Sequence, residues 1–311
     1  MSSENKPAAP SIPAWFGRHP LPPEELRPCV VQRQDALPRL YGIGPNKVPT
    51  CVYISTPKLT SSGFHVPPGK YFEPYDIHGG EEVYCVASGI ATVFEPDTGR
   101  THRVSAGSIC YIPREVWHQT YNFEDSQLSV ITFFAEKMWY EAMGMEVSYP
   151  GTPKHLLPDL ERLDLPAAQP MDVSMAGPLS GQIGAYPIDG ERARSLNQTF
   201  VVTPDRALNF VHGTTNRTLV SLLVSNEIIT TGEMTIPVGR ETDQERHKGD
   251  EVMVIIRGQV SVVTPDESVT EKTVSLSRFE LREGDRMLIP GGFAHRYYNS
   301  GEVTAKVLFS I

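Results

Sequence analysis

Cysteine is scarce in this chain, and its scarcity excludes several chemistries. The four cysteines, Cys29, Cys51, Cys85 and Cys110, include no C-x-x-C pair. A thiolate zinc site or a dithiol redox centre needs that spacing, so neither is expected. Cys85 and Cys110 sit inside apolar runs, which reads as buried free thiols in a reducing cytosol. Basic charge is also lacking. A formal net charge of -9 argues against a nucleic-acid partner, because phosphate binding needs a basic surface. No apolar run approaches the roughly 18 residues of a membrane span, so no membrane partner is expected. The segment from Met1 to Pro10 has no basic start followed by an apolar core, so the expectation is a cytoplasmic chain without a secretory signal.

Turn-forming residues, by contrast, are abundant. The 27 prolines and 25 glycines among 311 residues predict a β-rich chain, and 40% apolar residues suffice for real cores. Short β-branched and aromatic runs, such as Cys51–Thr56, Ile90–Phe94 and Leu128–Phe134, recur between turns at Pro67-Pro68-Gly69, Gly89 and Gly99. The rhythm stops after 135, where prolines crowd the chain, and resumes at Thr199. The division is therefore an N-terminal arm over 1–44, a first β domain over 45–140, a connector over 141–198 and a second β domain over 199–311. Within the arm, Glu24 to about Leu40 reads as a short helix. Glu136 to Met145 reads as another. The arm aromatics Trp15 and Phe16 are expected to pin onto a β domain or a partner subunit.

The two domains repeat one pattern. Asp76, His78, Glu82 and Gly89 recur as Glu245, His247, Glu251 and Gly258: acid, one residue, His, three residues, Glu, six residues, Gly. Duplication is the simplest source. A second cluster follows in each copy: Gly107, Pro113, His118 and Asn122, then Gly284, Pro290, Gly292, His295 and Asn299. The acid and first His, two apart on a strand, share a face. The Glu comes from the neighbouring strand and the distant His from a later one. Two imidazoles with one or two carboxylates suit a divalent transition metal, Fe, Mn, Co, Ni or Zn, with positions left for water or substrate.

These paired motifs resemble those of the cupins. The resemblance covers about 45–140 and 200–311 and implies an all-β fold: two cupin jelly-roll barrels joined by the proline-rich connector. It places the family's metal ligands on His78, Glu82 and His118, and on His247, Glu251 and His295. Two positions depart from the family pattern. The family's first His is Asp76 in one copy and Glu245 in the other, and its Pro-x-Gly is Pro113-Arg114-Glu115 in the first. Asp76 and Glu245 are each open to two roles: a fourth metal ligand, or a general acid or base beside the metal. The first copy's Asp-x-His followed by Glu-Glu is similar to 3-hydroxyanthranilate dioxygenases. The second copy's Glu-x-His is similar to ureidoglycine aminohydrolases.

The resemblance implies an enzyme. The first expectation is a non-haem dioxygenase, with Fe or Mn, acting on a small substrate with adjacent oxygens, such as a catechol, enediol, hydroxy acid or keto acid. The alternative is a non-redox isomerase, epimerase, lyase or hydrolase in which Asp76 or Glu245 moves a proton at a metal-stabilised enediolate. A non-catalytic ligand-binding cupin is the third. Tyr84 and Met253 read as core packing on the inward face of the glutamate strand, and Tyr297-Tyr298 as strand packing. Arg246 and Lys248 read as outward. His19, His65, His102, His155 and His212 match no motif position. The arm and exposed sheet edges point to a homo-oligomer, a dimer or larger.

Overall fold

The computed structural model describes residues 13–41, 47–72, 75–135, 183–265 and 276–311. The expected helix over 136–145 lies outside them, as does His155. The first half contributes β1 (Cys29–Val31), β2 (Leu37–Tyr41), β3 (Val48–Ser55), β4 (Leu59–Val66), β5 (Glu81–Ser88), β6 (Ile90–Glu95), β7 (Arg100–Ser105), β8 (Ile109–Ile112), β9 (Gln119–Tyr121) and β10 (Leu128–Ala135). A short helix, α1 (Gly190–Leu196), precedes β11 (Phe200–Val202), β12 (Leu208–His212), β13 (Thr218–Ser225), β14 (Thr230–Ile236), β15 (Glu251–Arg257), β16 (Gln259–Pro265), β17 (Leu276–Arg282), β18 (Arg286–Ile289), β19 (Arg296–Tyr298) and β20 (Ala305–Ser310).

Each half is a two-sheet jelly roll. In the first, the seven-stranded sheet β11-β8-β5-β10-β4-β3-β2 faces the three-stranded sheet β7-β6-β9; in the second, β1-β18-β15-β20-β14-β13-β12 faces β17-β16-β19. Among the described residues no hydrogen bonds join the large sheet to the small one edge to edge, so each half is an open sandwich rather than a closed barrel. One core fills the first sandwich, with Phe64, Tyr84, Val86, Val93 and Val130. A second fills the other, with Met253, Ile255, Val262, Leu281 and Tyr297. A third core joins the halves. It holds Val83, Cys85, Phe133, Leu223, Val252, Val254 and Leu308 on the outer faces of the two large sheets. The central strands are therefore buried on both faces, which explains why they read as continuous apolar runs instead of alternating ones. The buried Cys85 thiol lies in this shared core, and burial pushes its pKa above the ordinary range.

Each half borrows an edge strand from the other. β1 pairs antiparallel with β18 of the second half, and β11 pairs antiparallel with β8 of the first. The chain-order division at 198/199 puts β11 with the second domain, while its hydrogen bonds join it to the first. The approach to each exchanged strand also repeats. His19 bridges Ser55 in one half and Tyr186 bridges Ser225 in the other. The amides of Gly17 and Gly184 each donate to those serine hydroxyls at 2.9 Å. The duplicated unit thus begins within the arm.

The arm departs from its expected helix. Glu24 to Leu40 is two single-turn 3-10 segments, Pro23–Glu25 and Arg33–Asp35, separated by β1 and followed by β2. Pro28 lacks an amide donor and blocks a continuous helix. Pairing with β18 then leaves Val31 only 1% exposed. Conversely, α1 forms inside the expected connector. Its local signals are ordinary: the Asp189 side chain accepts from the Arg192 amide at 2.8 Å, and Asn197 closes the helix in the left-handed region.

Glu95 latches the second exchange. Its buried carboxylate accepts from the Thr199 amide at 2.5 Å and lies 3.0 Å from His102 Nε2. Burial alone pushes the Glu95 carboxyl up, but the His102, Thr98 and Thr199 partners outweigh it and hold the pKa below the usual 4.5. A depressed folded-state pKa contributes stability that is present above the unfolded value and lost as pH falls through the folded one. Glu95→Ala is expected to cost about 1–3 kcal/mol at neutral pH by stranding the Thr199 amide. That deficit relative to the parent chain should shrink below pH 4.5, and denaturant titration across pH measures both effects.

Candidate metal centres

The acid and the distant histidine of each motif are fixed to one another by backbone. Asp76 and His118 exchange hydrogen bonds of 2.8 and 3.0 Å, and Glu245 and His295 exchange bonds of 2.7 and 3.0 Å. The carbonyl of the first histidine is held by a tight turn: Glu115 N–H donates to His78 O at 2.8 Å, and Gly292 N–H to His247 O at 2.7 Å. That turn needs the left-handed region, with φ of +65° at Glu115 and +90° at Gly292. A non-glycine residue there costs roughly 1 kcal/mol, so Glu115→Gly is expected to stabilise the chain by about that amount, read as a raised unfolding midpoint.

Glu82 and Glu251 enter from β5 and β15, beside these bridges. In the first site His78 Nε2 and His118 Nε2 lie 3.2 and 3.3 Å from Glu82 Oε2. The ligand atoms of His78, Glu82 and His118 all fall within 4.8 Å of one another, a set that does not include Asp76. Asp76 is buried nearby, and burial pushes its carboxyl up to about 6. Burial also pushes Glu82 up, but the flanking imidazoles of His78 and His118 outweigh it and hold the carboxyl below its usual range.

The second site is built alike. His295 Nε2 is 3.0 Å and His247 Nε2 3.6 Å from Glu251 Oε2, and His247 Nε2 is 3.5 Å from Glu245 Oε2. Glu245, His247 and His295 form a set within 4.8 Å. Both carboxylates of this site thus reach the imidazoles. Glu245 raises the His247 pKa. Burial lowers that of His295, but Glu251 outweighs it and the net shift is upward.

The donor chemistry fits a cation. His118 Nδ1 lies 3.1 Å from Val116 O, and His295 Nδ1 3.1 Å from Phe293 O. A carbonyl only accepts, so Nδ1 carries a proton, and in the neutral ring Nε2 then turns a lone pair inward. There the lone pairs face acceptors. Among the buried polar atoms without a hydrogen-bond partner are Glu82 Oε2 and His118 Nε2 in one site, and Glu245 Oε1, Glu251 Oε2 and His295 Nε2 in the other. Buried acceptors converging without a proton between them are stabilised by a positive ion. These residues suit a divalent transition metal, manganese among the options.

Several neighbours were not legible as site residues. Tyr297, read as packing, donates from its hydroxyl to Glu251 Oε1 at 2.6 Å, which orients Glu251 Oε2 toward the imidazoles. Its position two residues after His295 was the available signal, since alternate strand residues share a face. His212, set aside as unmatched, lies on β12 with Nε2 3.2 Å from Glu245 Oε1. No local spacing reveals that contact. Tyr84 and Met253 do belong to the two sandwich cores, and Arg246 and Lys248 are exposed.

The sites differ in access. In the first, Phe134 sets its ring edgewise against His78 at 4.9 Å, and Trp15 and Phe16 of the arm pack on Phe134. The repeat places Ile183 where the first half has Phe16, and Ile311 where it has Phe134. With these smaller side chains the second site opens into a cavity of about 170 Å³, and His247 is 28% exposed against 4% for His78.

Two jelly-roll halves, each burying a histidine–carboxylate set poised for an ion, define a two-domain metal-binding β-sandwich protein. The cupin domain family model matches residues 63–134 and 232–311, and the chain belongs to the cupins as a two-domain member. Solved structures share the fold. The oxalate decarboxylase of Lactobacillus farciminis, in its formate complex, is 16% identical with a TM-score of 0.58, covering 90% of this chain and 85% of its own. Bacillus subtilis oxalate decarboxylase, whose structure concerns its Mn(II) centres, is 17% identical at 0.59, covering 94% and 80%. AerE from Microcystis aeruginosa is 12% identical at 0.54, covering 88% and 96%. No curated protein sequence matches the chain. Among the described residues no helix is long and apolar enough to cross a membrane.

Proposed function

We propose that this chain is a metal-dependent enzyme that acts, at its C-terminal site, on a small substrate with adjacent oxygens and without net redox change. The observation that carries this reading is Glu245. Of the two carboxylates, Glu251 is tied by Tyr297, whereas Glu245 Oε1 has no hydrogen bond, lines the cavity and lies beside His212. A divalent metal held by His247, His295 and Glu251, with Glu245 also within reach of the same centre, would supply Lewis-acid polarisation of two adjacent substrate oxygens. Glu245 would then act as the general base that takes a proton from the carbon beside the polarised oxygen. His212, with a side chain 44% exposed, lies 3.2 Å from Glu245 Oε1 on the solvent side. The cavity wall beside the carboxylate is largely apolar, which lowers the local polarity around it. The decarboxylase names of two structural neighbours agree with a lyase among the non-redox classes.

A dioxygenase is the second reading. The first site favours it, because His78, Glu82 and His118 form a two-histidine, one-carboxylate set without Asp76, the arrangement of non-haem iron oxygenases. Turnover of catechols, 2-hydroxy acids and 2-oxo acids by manganese-loaded protein, compared with and without oxygen, decides between the two. Product formed anaerobically supports the non-redox reading; strict coupling to oxygen uptake replaces it with the dioxygenase.

The proposal includes a cytoplasmic homo-oligomer. The outer edge strands β2 and β12 expose Leu40 at 67% and Val211 at 64%, apolar residues that a second copy would cover. Light scattering coupled to size exclusion tests the assembly.

A further inference from the structure

We propose that the C-terminal cavity selects ligands with a one-ring or similarly compact apolar body joined to a chelating 2-hydroxy- or 2-oxo-acid head. We further propose that Phe210 and His212, adjacent on one face of β12, read those two parts. This inference rests on the metal-dependent reading above and narrows its substrate class. The cavity has two zones. Its ionisable residues, His212, Glu245, His247 and Glu251, cluster at the ion site, and apart from Thr230 the rest of its wall is aliphatic or aromatic, including Phe210, Leu222, Met234 and Phe309. At about 170 Å³ it is close to the roughly 150 Å³ apolar cavity that accommodates benzene. A fully polar dianion such as oxalate, the substrate named for two structural neighbours, would leave that wall uncovered while losing its own hydration. Phe210 and His212 alternate with Asn209 and Val211 on an edge strand, so both project toward the cavity while their neighbours face away. The two rings meet edgewise at 6.3 Å. His212 is not among Glu245, His247 and His295, whose ligand atoms lie within 4.8 Å of one another, and its Nε2 lies 3.2 Å from Glu245 Oε1, so its part is to contact the ligand head beside Glu245.

The test is calorimetric titration of the manganese-loaded full-length chain with mandelate, glycolate and oxalate. Mandelate and glycolate share a head and differ by the ring. Mandelate is expected to bind about 10–100-fold more tightly than glycolate, from burial of the ring, and more tightly than oxalate. Phe210→Ala should shrink the mandelate advantage and leave glycolate unchanged. Met234→Gln, which keeps side-chain length, supplies the same comparison should Phe210→Ala misfold. His212→Ala should weaken mandelate and glycolate by a similar factor while manganese affinity stays unchanged. Equal or weaker binding of mandelate than glycolate, with manganese bound, overturns this inference and leaves the metal-dependent reading standing. Failure of the chain to bind manganese or any other divalent transition metal overturns both.

Discussion

Glu245→Gln should cut turnover about 10²–10⁴-fold while the metal content of the C-terminal site stays unchanged, the signature of a lost general base. His295→Ala should instead empty that site, because Nε2 of His295 and Oε2 of Glu251 share one centre at 3.0 Å and removing the imidazole leaves a single histidine there. Metal analysis of the two variants beside the parent, together with turnover, separates moving a proton from holding an ion. If Glu245→Gln loses the metal as His295→Ala does, Glu245 is a ligand and the base must be sought elsewhere. The corresponding pair in the other half, Asp76→Asn and His118→Ala, should leave turnover nearly unchanged. Those side chains sit behind Phe134 and the arm aromatics, with His78 4% and His118 1% exposed. Equal losses from both pairs would mean that the first site also takes substrate.

The two sites are nonetheless mechanically joined. The residue before each motif glutamate is a buried acid tied to the opposite half. Glu81 accepts from Tyr111 Oη at 2.7 Å, which in turn accepts from the Asn226 side chain at 2.9 Å. Asp250 accepts from the Thr56 hydroxyl at 2.8 Å. Arg194 of α1 joins the first of these clusters, donating to Glu81 at 2.9 Å and to Glu227 at 2.8 Å. Arg286 adds a third tie. It is 4% exposed, donates to Ser61 Oγ and Ser62 O at 2.5 and 2.9 Å, and places its guanidinium 3.7 Å from the centre of the Tyr53 ring. Burial pushes its pKa down to about 10. The largely apolar boundary between the halves thus carries a few buried polar links, one of them adjacent in sequence to each glutamate, with Arg286 Nε left without a partner.

What could be read from the sequence follows from how local each signal is. The acid, first histidine and glutamate of each motif were visible because a strand alternates its faces and a turn fixes the next strand, and the distant His118 and His295 because the repeated second cluster resembles that of the cupins. The structure brings His78, Glu82 and His118 together, and likewise Glu245, His247, Glu251 and His295, with Asp76 beside the first group. The short-strand rhythm pointed to a β sandwich or barrel, and the jelly roll came from the resemblance of the paired motifs to the cupins; sandwich against barrel was not legible, because edge closure is a property of sheet ends rather than of any strand. Tyr297 was half-legible: its inward face could be inferred, while its hydroxyl bond to Glu251 depends on rotamer and distance. His212 was not legible at all, since the β12–Glu245 contact spans two sheet segments with no shared motif. Strand exchange was equally hidden. Cys29-Val30-Val31 and Phe200-Val201-Val202 look like any three-residue apolar edge, and nothing in such a tripeptide names its partner.

That hidden exchange yields the largest stability effect expected. Deleting residues 1–31 removes β1, and with it the pairing of Cys29, Val30 and Val31 with Leu288, Met287 and Arg286. Val31 leaves the shared core, and the loss of its burial together with the arm aromatics is expected to cost roughly 3–5 kcal/mol, a fall of roughly 10 °C in Tm. The location of the damage discriminates. A terminal arm that only covered its own half would loosen the first sandwich. Here the deletion should deprotect the amides of β18 in the second half, more than 250 residues away in sequence, as read by hydrogen exchange. β18 runs directly into the Pro290-to-His295 segment that sets the distant imidazole, so metal affinity at the C-terminal site should fall as well. Exchange confined to the first half, with C-terminal metal binding intact, would show that β1 is dispensable to the second sandwich.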